Sequence, residues 1–338
     1  MSGISRREFF KRSAAAGIAG GLVLAGLGKP ARAAAVSPRG TFYDLTRCDG
    51  CRDLPVPRCV DACRRENAFK FPRPAPAEEI PFYWPRKIKE DWQDKKELTT
   101  RLTPYNWTFV QHARVEHGGK PVDVYIPRRC MHCDNPPCAN LCPFGAQGKT
   151  PEGPVVINPD LCLGGAKCRD VCPWGIPARQ AGVGLYMKLA PGYLGAGVMY
   201  KCDLCYHRVK KGGTPACVEA CPRGAIAFGE KEEIRTQARK RAREINGYLY
   251  GDKENGGTST FYVSPAPFNK IHQQLLAQKA KQPNPVAPGF PGLPEDVGNP
   301  LDTVNGLVGA LLAAPVAGAV LAGYTAYKTM KGDEEHGG

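Results

Sequence analysis

Fifteen cysteines fall in four runs along a chain of 338 residues, and their spacing is the feature most able to do chemistry. The runs are Cys48-x2-Cys51-x7-Cys59-x3-Cys63, Cys130-x2-Cys133-x4-Cys138-x3-Cys142, Cys162-x5-Cys168-x3-Cys172 and Cys202-x2-Cys205-x11-Cys217-x3-Cys221. Each closes in Cys-x3-Cys, and three of the four continue into Pro143, Pro173 and Pro222. Closely spaced thiolates on a tight loop can cup an iron-sulfur cluster, and a cysteine set on the helix that follows points away toward the next cluster. Zinc competes for Cys-x2-Cys hooks, but zinc ribbons pair two hooks and have no use for a regular Cys-x3-Cys-Pro tail. A disulfide framework competes less well, because an odd count leaves one thiol over.

The odd count has its own explanation. The third run has the pattern Cys-x2-Cys-x2-Cys-x3-Cys with Gly165 where the second cysteine belongs. Gly164, Gly165 and Ala166 carry no donor, and Lys167 is ill suited to iron. A cluster built there has three protein ligands, Cys142, Cys162 and Cys168, and is expected to be a 3Fe-4S centre; a 4Fe-4S cube with water or hydroxide on its fourth iron is the rival. His132, between Cys130 and Cys133, reads as a packing or solvent-contacting residue rather than a ligand.

Several elements must hold these runs. Short apolar strands are expected at Pro154 to Ile157, ahead of Cys162, and at Ala225 to Phe228, after Cys221. Residues 64–129 form an insertion rich in Pro, Trp, Tyr and charge, with strands expected at Thr108 to Glu116 and Val122 to Ile126, positioned to cover the core or meet a partner. From Lys231 to Ile245, the residues Ile234, Ala238, Ala242 and Ile245 form one narrow apolar stripe on a basic helix, which is expected to lie on its own domain. Eight prolines between Pro265 and Pro300 suggest a stiff tether over residues 263–300.

The termini suggest export and anchoring. Ser5-Arg6-Arg7-Glu8-Phe9-Phe10-Lys11, an apolar stretch from Ala14 to Gly28, and Ala31-Arg32-Ala33 together resemble a twin-arginine signal over residues 1–33. That resemblance implies export of a folded, cofactor-loaded chain. Gly306 to Tyr327 is a run of 22 residues without charge, long enough at about 1.5 Å per residue to span a bilayer, so residues 301–330 are expected to form an anchor with a cytoplasmic tail at 331–338. Gly306, Ala310, Ala314, Gly318 and Ala322 would present a smooth ridge to another helix.

The motifs over residues 48–221 resemble those of the four-cluster, ferredoxin-like electron-transfer subunits of membrane-bound respiratory enzymes. That family serves molybdopterin oxidoreductases and membrane-bound nickel-iron hydrogenases. The stretch from Lys211 to Pro222, Gly229-Glu230-Lys231-Glu232-Glu233, Gly256-Gly257-Thr258 and the two termini resemble the hydrogenase-2 type most. The resemblance implies an α+β fold of two tandem ferredoxin-like modules within residues 34–262, with loop-rich insertions and one C-terminal transmembrane helix. It also implies crossed ligation. Three 4Fe-4S clusters would be held by Cys48, Cys51, Cys59 and Cys221, by Cys63, Cys202, Cys205 and Cys217, and by Cys130, Cys133, Cys138 and Cys172. The trio would hold the 3Fe-4S cluster. Two departures fall at the first run: seven residues precede Cys59, and Arg64 follows Cys63 in place of proline.

The expected role is a non-catalytic relay at the periplasmic face of the membrane, between a periplasmic catalytic subunit, with a hydrogenase favoured, and a multi-span quinone-reactive subunit. The same role in a molybdopterin oxidoreductase or a cytochrome c dependent quinone reductase complex is the alternative, and a membrane-tethered zinc or disulfide scaffold is a remote one. No nucleic-acid partner is expected despite a formal charge of +14. The leader carries about a third of that surplus, and four anionic clusters would offset roughly −8 of the rest.

Overall fold

A computed structural model describes residues 37–82, 89–189, 197–282 and 288–302. The expected leader at 1–33 and the uncharged run from 306 to 327, expected to span a membrane, lie outside the described residues. Among the described residues, no helix is long and apolar enough to cross a membrane.

In chain order the elements that hold the cysteine runs are β1 (Arg39–Asp44), α1 (Arg58–Asn67), β2 (Phe109–His117), β3 (Lys120–Arg128), α2 (Pro137–Asn140), β4 (Gln147–Lys149) and β5 (Val155–Ile157). They continue through α3 (Lys167–Asp170), β6 (Ala178–Gln180), α4 (Leu185–Leu189), β7 (Val198–Tyr200), α5 (Tyr206–Val209) and α6 (Ala216–Glu219). The chain then runs through β8 (Ile226–Glu230), α7 (Lys231–Glu244), β9 (Tyr248–Tyr250), β10 (Thr260–Ser264) and α8 (Phe268–Ala280). This mixture of short helices and separate small sheets is the expected α+β class.

One sheet of four strands, in the order β8-β1-β10-β9, joins the two ends of the described body. β1 lies parallel to β10 and antiparallel to β8, so strands more than 200 residues apart in sequence meet side by side. Tyr43 of β1 stacks on Tyr262 of β10 with ring centroids 5.0 Å apart. On the other face, Ile234, Ala238 and Ala242 of α7 bury against Phe42, Phe261 and Val263. The basic helix therefore lies on its own domain, as its stripe predicts.

The insertion supplies a long hairpin. β2 and β3 pair antiparallel, and Gly118 and Gly119 at the turn have φ of +60° and +73°. Positive φ at both central residues is what a type I′ turn demands. The first strand lies one residue on from the expected Thr108 to Glu116, and the second runs two residues beyond each end of the expected Val122 to Ile126.

Residues 263–300 depart from the expected tether. β10 runs through Ser264, and α8 buries Phe268, Ile271 and Leu275 in the main core. Leu293 is fully buried, Leu102 donates its backbone N–H to Gly289, and Arg128 donates to the Gly292 carbonyl. The proline count suggested stiffness, but apolar residues at i, i+3 and i+7 between the prolines form a packing face. The ferredoxin-like body thus extends past residue 262.

Candidate metal centres

The cysteine runs share one local design. In three of them a proline in extended conformation precedes a helix that carries the next cysteine: Pro57 before α1 and Cys59, Pro136 before α2 and Cys138, Pro215 before α6 and Cys217. The final cysteine lies one helical turn later, and Cys142, Cys172 and Cys221 each accept a backbone bond from the glycine three residues on, Gly145, Gly175 and Gly224. Those glycines have φ between +54° and +59°, so the repeated unit is Cys-Pro-x-Gly, a turn feeding the strand that follows. The glycine is a signal that the cysteine and proline spacing alone overlooks.

The hooks ahead of the helices are strained. Cys51, His132, Leu204 and Cys205 have φ between +46° and +59°. Non-glycine residues seldom adopt such values, and they persist where surrounding structure over-determines them. In the third run the residue before α3 is Ala166, itself left-handed at φ +58°, where the other runs have proline. The run without its second cysteine is therefore also the run with a different helix entry.

At the first run α1 continues through Cys63 to Asn67, which is why Arg64 stands where the other runs turn at proline. Arg64 donates to the carbonyls of Lys96 and Tyr105 at 2.9 and 3.2 Å, tying the helix to the insertion. Asn67 donates to the Cys63 carbonyl at 3.0 Å and lies 3.8 Å from the sulfurs of both Cys63 and Cys205.

All fifteen cysteines are free thiols, which removes the disulfide framework. They gather in four groups. Cys48, Cys51, Cys59 and Cys221 line one cavity, and Cys142, Cys162 and Cys168 line another, with Gly164, Gly165 and Lys167 on its wall. Cys63 lies within electrostatic reach of Cys202, Cys205 and Cys217 in a second thiol group, and Cys138 of Cys130, Cys133 and Cys172 in a third. Neighbouring groups lie within electrostatic reach of one another in series: Cys59 of Cys217, Cys202 of Cys130, and Cys168 of Cys172. The four groups are therefore ordered first to fourth along one path.

Burial raises these thiols, Cys48 and Cys202 to about 11 and Cys168 and Cys217 to about 12, with neighbouring cysteines adding to the burial effect. Such groups are neutral as free thiols at pH 7, and a bound cationic metal centre would draw them into the thiolate form. Among the described residues, no three of His, Cys, Asp and Glu converge tightly enough to grip a single ion. Several cysteine sulfurs gathered at each site, too far apart to grip one ion, fit a multi-atom cluster.

Donors already face several sulfurs. The backbone N–H groups of Leu204 and Ala225 reach Cys202 and Cys221 at 3.3 Å, that of Met199 reaches Cys162 at 3.4 Å, and Gln147 Nε2 reaches Cys138 at 3.1 Å. His132 is fully buried rather than in solvent contact. Its Nδ1 accepts the Val155 N–H at 3.0 Å, which assigns the ring proton to Nε2, 3.8 Å from the Cys202 sulfur. Burial, then the charges of Lys201, Arg129 and Lys149, hold this imidazole neutral.

The insertion clamps two of the four groups. Glu90 takes Arg169, one residue past Cys168, in a two-point pair at 2.8 Å, and also pairs with Arg179 at 2.5 Å. Arg179 in turn donates to the Gly164 carbonyl at 3.0 Å, fixing the loop that lacks a cysteine. Lys70 pairs with Asp203, inside the hook of the second group, at 2.6 Å. Sequence reasoning assigned the insertion a covering role but could not identify Glu90 or Lys70, because their partners lie far along the chain.

Comparison with known proteins follows this geometry. Residues 47–146 and 122–231 match two models of 4Fe-4S dicluster domains. These define tandem ferredoxin-like iron-sulfur modules. The chain is 35% identical over 200 residues to a probable anaerobic dimethyl sulfoxide reductase chain of Escherichia coli K12, covering 58% of this chain and 75% of that one. It is 29% identical over 312 residues to a hydrogenase-2 operon protein of Escherichia coli O157:H7, covering 79% and 83%. It is 31% identical over 229 residues to the formate dehydrogenase-O iron-sulfur subunit of Escherichia coli K12, covering 66% and 65%. The chain belongs to the family of iron-sulfur electron-transfer subunits of respiratory oxidoreductases, and it carries iron-sulfur clusters of the 4Fe-4S type.

Proposed function

We propose that this chain relays electrons between a periplasmic catalytic subunit and a quinone-reactive membrane subunit, with a nickel-iron hydrogenase as the catalytic partner. The observation that carries the relay is the serial proximity of four thiol groups, with Cys59 near Cys217, Cys202 near Cys130, and Cys172 near Cys168. Bound clusters supply one-electron redox chemistry with little rearrangement of their ligands. The chain itself buries nine of the fifteen thiols, supplies N–H donors to sulfur and holds the hooks in strained conformations.

The proposed ligand sets are Cys48, Cys51, Cys59 and Cys221; Cys63, Cys202, Cys205 and Cys217; and Cys130, Cys133, Cys138 and Cys172, each for a 4Fe-4S cluster. Cys142, Cys162 and Cys168 hold the 3Fe-4S cluster, an assignment supported by Gly165 on the cavity wall with no donor side chain beside it. Export by the leader and a single anchor with a cytoplasmic C-terminus would set the body at the periplasmic face. The hydrogenase partner is favoured by the similarity that spans most of both chains. A molybdopterin partner is the second reading, favoured by the higher identity over a shorter stretch.

Purification of the native complex tests both parts. Nickel and a large hydrogenase subunit in the purified complex support the first reading, whereas molybdenum in their place overturns it in favour of the second. Roughly 15 irons per chain are expected. A colourless, zinc-containing chain would end the relay reading altogether.

A further inference from the structure

Two full positive charges lie in the interior between the second and third thiol groups. Arg129 is 1% exposed and directly precedes Cys130; Lys201 is 6% exposed and directly precedes Cys202. A guanidinium stays charged in any protein environment, and a buried cation is costly unless an anion and hydrogen bonds compensate it.

Neither cation has a carboxylate for a partner. Arg129 donates to the Tyr43 hydroxyl at 2.6 Å, to the Thr41 hydroxyl and to the Cys130 carbonyl at 3.1 Å, and its NH1 lies 3.9 Å from the Cys202 sulfur. Lys201 donates to the carbonyls of Val155 and Cys202. Among the described residues, no Asp or Glu forms an ion pair with either. Asp203, the one carboxylate in the electrostatic surroundings of Lys201, is held at 2.6 Å by Lys70. The remaining acidic neighbours are the phenols of Tyr43 and Tyr262 beside Arg129, which burial keeps neutral, and cysteines: Cys202 and Cys217 around Arg129, and Cys130, Cys138 and Cys202 around Lys201. The hydrogen bonds are satisfied, yet the charges are balanced only if those sulfurs carry negative charge.

We propose that Arg129 and Lys201 are the built-in counter-charges of the second and third thiol groups and raise the reduction potentials of the centres held there. The inference rests on the ligand sets proposed above. Adding an electron to an anionic centre makes it more negative, and a fixed cation in a dry interior favours that reduced state. Cys202 is the focus of the device. It faces Arg129, the Nε2–H of His132 and the backbone N–H of Leu204, three donors on one sulfur.

The test is redox titration of the whole membrane complex followed by EPR, with wild type, Arg129→Gln, Arg129→Lys, Lys201→Gln and Lys201→Arg. Wild-type iron content and the number of reducible centres test the ligand sets separately, so their failure is distinguishable from failure of this inference. With the clusters present, Arg129→Gln should lower the potential of the second-group centre by at least a tenfold change in its reduction equilibrium, about 59 mV for one electron. Lys201→Gln should do the same at the third-group centre, and the charge-retaining variants should stay within threefold of wild type. Potentials within threefold of wild type in both neutral variants would overturn the proposal. If the neutral variants fail to assemble clusters, the charge-retaining pair decides. Assembly with near-wild-type potentials supports a role for charge, and their failure too would show that shape rather than charge is required.

Discussion

Gly165 is the residue on which the iron count turns. A Cβ placed there meets nothing within 4 Å, and its backbone lies outside the left-handed region, so a side chain fits without strain. Gly165→Cys is therefore expected to supply the missing thiolate to the group of Cys142, Cys162 and Cys168. Oxidised protein should lose the paramagnetic three-iron signal and gain about one iron per chain. Persistence of that signal in a variant of full cysteine content would count against the assignment. Glu90 governs the same group from a distance. Burial pushes its carboxyl up, but the Arg169 hydrogen bond and the Arg179 and Arg169 charges more than offset this, so it ionises below its usual range. A depressed acid contributes stability that is present above the unfolded value near pH 4.3 and is lost as pH falls through the folded value. Glu90→Gln should thus lower the unfolding midpoint at pH 7 by the equivalent of about 1–3 kcal/mol, with the difference from wild type shrinking below about pH 4.

At the scale of elements, the hooks and the last helix make distinct demands. Gly50 has φ of +69°, and a methyl there would overlap the Tyr125 ring of β3. Gly50→Ala should open the hook of Cys48 and Cys51 and cost the first group its cluster, seen as a loss of about four irons per chain while the other centres remain. The spacing of Phe268, Ile271 and Leu275 makes α8 a structural part of the body. Ile271 is fully buried, so Ile271→Ala should cost about 2–5 kcal/mol in a denaturation curve, whereas a mutation in a free tether would cost almost nothing. The two strands of the β2–β3 hairpin were legible in the sequence, at Thr108 to Glu116 and Val122 to Ile126. α8 was not, because eight prolines around it dominate the composition and its three anchors are too few to outweigh them.

For the whole molecule, the main apolar core contains Cys59, Cys63, Cys130, Cys133, Cys202 and Cys217 among its aromatic and aliphatic residues. The clusters are thus part of what the core packs around, and removing them leaves cavities beside two buried cations. Iron chelation should make α1 and the β2–β3 hairpin protease-sensitive first. α7 and the strands beneath it, which pack through the separate cluster of Phe42, Ile234, Phe261 and Val263, should resist longer. Limited proteolysis with mass mapping reads that order, and uniform cleavage across both regions would contradict it. The charge surplus acquires a place as well. Basic residues directly precede the first cysteine of three runs, at Arg47, Arg129 and Lys201, a regularity visible in the sequence once the interior is known.

The cysteine spacing by itself determined the cofactor class, the fourfold repeat and the unusual third run, because metal ligation needs particular side chains at particular short separations. Only the tertiary structure decided which groups stand next to one another, that Glu90 and Lys70 lock distant loops, and that Arg129 and Lys201 face sulfur rather than carboxylate. Those outcomes depend on contacts across tens to hundreds of residues. Residue type and local periodicity carry little of that information, since the same arginine before a cysteine is exposed at Arg47 and buried at Arg129.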